Sequence, residues 1–197
     1  MKTLTSARLP RRRSVWLTAL AALTIVAACE DPFEITASSP NIDATFEVWA
    51  ITGSPSAYPS GVLLPQAAVV RLDAAGSFDL AFDIDQDGRV KVLPVSSVVS
   101  PVTGTRQIFF QRTSLAYNQI IDAPRDGWVA DSVLLINPGQ AFLVRATTQF
   151  CQFSTLQDIY ARILVDSVIE SERRIKMSAR VNPNCGFRAF VSGIPPY

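Results

Sequence analysis

The chain has 197 residues, with 18 lysines and arginines, 17 acids and no histidine. The missing histidine excludes Ser-His-Asp and Cys-His nucleophile systems, histidine general bases and histidine-ligated zinc or haem. All 17 acids but only 13 of the cations follow position 28, so residues 29–197 carry a net charge of −4, which argues against nucleic acid as a partner.

Residues 1–28 read in three parts. The head carries Lys2, Arg8, Arg11, Arg12 and Arg13 and no acid. Residues 15–28 are apolar or small except Thr18 and Thr24, and the segment closes on Val26-Ala27-Ala28-Cys29. This is the layout of a secretory signal peptide with its short helix. The apolar run of 14 residues falls short of the about 20 that a spanning helix needs. The closing run resembles the lipobox of bacterial lipoproteins, a resemblance that covers the first 29 residues. It implies cleavage before Cys29, lipid on that sulfur, export, and a membrane partner reached through the lipid. Glu30 stands where an aspartate would resemble an inner-membrane retention signal, so the resemblance implies the outer membrane. Arg12-Arg13 is similar to a twin-arginine export signal, although an ordinary basic head accounts for it too.

Residues 29–43 are rich in proline, serine and acids and read as a flexible tether. Residues 44–197 then read as a single all-β domain. Strand-like runs are expected at 45–52, 67–73, 78–85, 89–95, 106–113, 129–136, 141–147, 160–168, 174–181 and 187–191, divided by Gly, Pro and Asn breakers. Roughly 8–10 short strands at regular spacing predict an antiparallel β-sandwich or barrel.

Two hairpins can be registered from sequence. A three-residue turn at Gln86-Asp87-Gly88, with Gly88 left-handed, sets Asp85 against Arg89, Asp83 against Lys91, Ile84 against Val90 and Phe82 against Val92. A two-residue turn would set Ile84 against Lys91 and spoil both faces. The same residues open like a D-x-D-x-D-G calcium loop, making Asp83, Asp85 and Asp87 the alternative calcium ligands. The twelfth position, which should be a bidentate glutamate, is Pro94. In the second hairpin, Ile175, Met177, Ala179 and Val181 alternate with Arg174, Lys176, Ser178 and Arg180. Ala161, Ile163 and Val165 share its inner face, and Glu170-Ser171-Glu172 makes the turn. The basic stripe Arg174, Lys176 and Arg180 reads as a solvated face balanced by Asp166, Glu170 and Glu172, with an anionic ligand as the rival reading.

With Cys29 lipidated, Cys151 and Cys185 remain as an even pair in an oxidising compartment and are expected to form a disulfide, two buried free thiols being the rival. Trp49, Trp128, Tyr58, Tyr117 and Tyr160 read as packing before they read as a sugar-binding face. The runs 139–147 and 160–165, followed by an arginine-rich strand, are loosely similar to small all-β lipoproteins of Gram-negative bacteria, which implies a compact β domain. The expected function is a non-catalytic, lipid-anchored binding or structural module of the cell envelope. Its partner would be an envelope protein or a glycan, with no cofactor. A calcium-stabilised adhesion or carbohydrate-binding module and a carboxylate-dependent hydrolase are the alternatives.

Overall fold

The computed structural model describes residues 36–72, 78–99, 107–147, 149–151 and 158–195. The leader, its lipobox and Cys29 lie outside these residues. Among the described residues, eleven strands form two antiparallel sheets. They are β1 (Ile42–Trp49), β2 (Gly61–Leu63), β3 (Ala68–Val70), β4 (Leu80–Ile84), β5 (Val90–Pro94), β6 (Gln107–Arg112), β7 (Val129–Ala130), β8 (Leu134–Ile136), β9 (Ala141–Thr147), β10 (Asp158–Ile169) and β11 (Arg174–Asn182). One sheet runs β1-β11-β10-β9-β6-β7, the other β3-β2-β4-β5-β8. Among the described residues neither sheet closes into a barrel. One apolar cluster draws residues from both sheets, including Phe46, Phe82, Phe110 and Phe142, as in a β-sandwich. Phe110 and Phe142 meet edge to face with centroids 6.4 Å apart.

The expected hairpins form in the expected register. Phe82 pairs with Val92, Asp83 with Lys91 and Ile84 with Val90. Gly88 has φ +75°, a conformation that glycine adopts without a Cβ penalty. In β11 Ile175, Met177, Ala179 and Val181 are buried, facing Ala161, Ile163 and Val165. Glu170–Glu172 makes a 3-10 turn that leaves through Arg173 in the left-handed region.

Four segments differ from the sequence reading. Residues 129–136 are two strands on different sheets, β7 beside β6 and β8 beside β5. Asp131, at φ 43°, turns the chain between them. Residues 187–191 form no strand and make one isolated bridge, Ala189 with Asp122, because they cross the outer face of the larger sheet instead of joining its edge. Strand β2 escapes prediction because it is three residues long and lies between prolines. Strand β1 opens at Ile42, inside the expected tether. Just before it, the Asn184 carboxamide accepts from the amides of Ser38 and Ser39 and donates to the Ser39 carbonyl. One buried asparagine thus does the work of a neighbouring strand.

The larger sheet is covered on its outer face as well, over β9 and β10. Outside it, Ile120, Ala123, Ala141, Leu143, Tyr160 and Phe190 form a second apolar cluster beneath the 113–128 loop and the 186–191 segment. Strands buried on both faces lose polar alternation, which accounts for the run Ala141-Phe142-Leu143-Val144.

Candidate functional site

Register assembles the site on this outer face. Asp43 pairs with Arg180, Arg180 with Arg162, Arg162 with Leu143, and Leu143 with Gln111, so one row crosses five strands. Arg162 is 7% exposed. Its guanidinium donates to the carbonyls of Tyr117 and Ile120 and lies 4.4 Å from the Tyr117 ring centroid. Burial holds the Arg162 pKa below its ordinary value, partly offset by Tyr117, and burial raises the Tyr117 phenol. Arg162 therefore pins the loop that forms one wall of the site.

The opposite wall follows the disulfide. Cys151 and Cys185 are bonded across a separation of 34 residues, and the Gly186 amide donates to the Asp158 carbonyl, 2.7 Å away. The chain then runs against 121–123. Ala123 and Arg188 are joined twice, by the Ala123 amide to the Arg188 carbonyl and by the Arg188 guanidinium to the Ala123 carbonyl, each 2.9 Å. The Phe190 amide donates to the Ile121 carbonyl at 2.6 Å.

Between these walls and the end of β6 lies a groove of about 570 Å³, with Leu143 and Ile120 among its apolar lining and Arg112, Arg125, Arg188 and Asp122 as its charged groups. A second groove of about 400 Å³, lined by Phe110, Val129 and Leu134, shares Gln111 and Arg112 with the first. Arg112 and Arg125 are exposed, and no ion pair forms on Arg112, Arg125 or Arg188 among the described residues. The Gln111 Oε1 is buried and lacks a hydrogen-bond partner among the described residues. Guanidinium forks suit planar oxyanions.

The acids of the calcium-like motif are engaged elsewhere. Asp83 accepts from Arg173 at 3.0 Å and from the Thr52 hydroxyl at 2.9 Å. Asp85 and Asp87 both pair with Arg89, at 2.7 and 2.8 Å. Desolvation works against ionisation of Asp85, yet its hydrogen bonds from the Arg89 side chain and from backbone amides hold its pKa below the ordinary value. No group of three metal-capable side chains gathers among the described residues. On the basic stripe, Arg180 chelates Asp43 at 2.6 and 2.7 Å, and Lys176 pairs with Glu47. Arg174 pairs with Glu47 and Glu172. Only Glu172 of these partners was expected, because Asp43 and Glu47 reach the stripe from β1, which is distant in sequence. Trp49 stacks near Tyr58, at 4.9 Å, and Trp128 near Tyr160, at 5.9 Å. The Trp128 indole N–H donates to the Pro124 carbonyl.

Sequence reasoning missed the groove. Arg112, Arg125 and Arg188 lie in three separate segments, and no local spacing links them. Set against known proteins, the chain matches no family model, no curated protein and no solved structure.

Proposed function

We propose that this chain is an exported, lipid-anchored protein of the bacterial outer membrane whose β-sandwich is a non-catalytic binding module. The observation that carries the binding reading is the groove, where Arg112, Arg125 and Arg188 converge without a carboxylate partner among the described residues. Arginines held unpaired at a concave surface are a ready recognition site for an anion. The anchoring reading is supported by the basic head, the short apolar run and Val26-Ala27-Ala28-Cys29. Two or three acyl chains at about 0.8 kcal/mol per buried methylene would hold the protein stably.

Fractionation of cells expressing Cys29→Ser tests the anchor: the variant leaves the membrane fraction, and normal processing with full membrane retention would refute lipidation. Pull-down from envelope extract tests the module. The intact chain captures a component that an Arg112→Glu/Arg125→Glu chain does not. Equal capture by both would refute a role for the groove.

A further inference from the structure

We infer that the outer face of the larger sheet docks on the bilayer that holds the lipid anchor, with Arg112, Arg125 and Arg188 on anionic phospholipid headgroups. This deepens the binding-module reading and rests on the lipidation of Cys29. The point where the chain enters the domain selects the occupant. The Asn184 side chain holds the amides of Ser38 and Ser39. The Asn41 carboxamide donates to the carbonyls of Ala189 and Val191, and the Asn41 amide to that of Gly193. The entering chain therefore lies against the same 184–193 segment that supplies Gly186 and Arg188 to the groove. Register agrees: the row of paired residues that ends at Gln111 begins at Asp43, four residues after Ser39.

Cys29 precedes Ser38 by nine residues, which span at most about 32 Å when fully extended. A domain of about 160 residues is about 40 Å across. The tether is too short to let the side remote from Ser38 reach the bilayer, whereas the groove, beside the entry point, comes within reach. What this face presents suits an anionic bilayer. The groove lining sets three arginines against Asp122 in a domain that is acidic overall, and Asp126 of the same loop does not line it. Leu115 lines the groove, Ile121 lies between the lining residues Ile120 and Asp122, and Ile194 follows Gly193 at the entry point. All three are more than half exposed. Cations for the headgroups beside aliphatic side chains for the headgroup boundary are the two parts of a membrane-surface contact. A soluble anion would engage the arginines and leave the three aliphatic side chains in water.

Bromolipid quenching tests this on the full chain, processed in a Gram-negative host and reconstituted into vesicles, with the lipid on Cys29 verified by intact mass. Ile121→Trp reports on the outer face, and Ile51→Trp, beyond the far end of β1, is its control. Both positions are exposed, and unchanged thermal unfolding verifies the fold. Quenching is read as the gain over the chain without the added tryptophan. In vesicles of brominated phosphatidylcholine with phosphatidylglycerol, the indole at 121 is quenched about twofold more than in brominated phosphatidylcholine alone, and the indole at 51 in neither. Arg112→Ala/Arg125→Ala removes the difference, at about fivefold in partitioning per cation. Salt at about 0.5 M removes it too. Quenching at 121 no greater than at 51, or unaffected by phosphatidylglycerol or by the folded arginine variant, overturns the proposal. A chain that carries no lipid, or does not float with the vesicles, rejects the anchor and the docking with it. A floating, lipidated chain without quenching at 121 rejects the docking alone.

Discussion

Replacing Cys151 and Cys185 together by alanine cuts a cross-link between residues 34 apart. In the chain-entropy picture, closing a loop of that length removes about 12–13 cal/mol/K from the unfolded ensemble, or about 3.8 kcal/mol at 25 °C. Cys151 is buried in the main cluster, with Cys185 packed against it, so lost sulfur contacts add to this. For a domain of this size each kcal/mol lowers Tm by about 2–4 °C, so thermal unfolding should drop by roughly 8–15 °C. Differential scanning calorimetry of the oxidised protein, the reduced protein and the double variant measures it. The reduced protein should fall close to the variant, since both lack the constraint, and intact mass should rise by two hydrogens on reduction. A drop of under about 2 °C would refute the argument, because it would mean that the unfolded chain gains little freedom when the bridge is opened.

Arg173→Ala should cost about 1–3 kcal/mol in urea unfolding, because the guanidinium joins the Thr52 carbonyl, the Asp83 carboxylate and the Ile84 carbonyl, each at 3.0 Å. Arg173→Gly should cost up to about 1 kcal/mol less than the alanine variant, since Arg173 sits at φ 54°; an order reversed between the two would contradict the strain. Asp43 is held below the ordinary carboxylate range, first by its hydrogen bond from Arg180. Its stabilisation is therefore present above the unfolded pKa of about 3.9 and lost as pH falls through the lower folded value. At 65% exposure it amounts to under about 1 kcal/mol. Asp43→Asn should lower Tm slightly at neutral pH and flatten its fall below about pH 4; parallel wild-type and variant curves across that range would refute the linkage.

Both hairpins were legible because their pairing is local. At 82–92 only one turn length makes every opposed pair complementary, and the structure adopts it. In β10 and β11 the period-two pattern identifies the inner face directly. Residues 129–136 misled because five of the eight, Val129, Val133, Leu134, Leu135 and Ile136, are large aliphatics that suit a strand, yet Asp131 breaks the run and sends its halves to opposite sheets. Asp131-Ser132 is a local turn signal, but it does not say that the two halves join different sheets. The basic stripe was recognised, but two of its counter-ions come from β1, more than 120 residues away in sequence.

By itself, the sequence determined an all-β class, two hairpin registers, the pairing of Cys151 with Cys185 and an acidic domain without histidine. These follow from alternation, turn stereochemistry and composition, which act over a few residues or over the whole chain. Only the tertiary structure decided that β6, the 113–128 loop and the 186–191 segment meet. That meeting brings Arg112, Arg125 and Arg188 to one groove, with Arg162 buried behind it. Burial of the second apolar cluster draws those segments together, and its energy depends on surfaces that adjoin only once both sheets have formed.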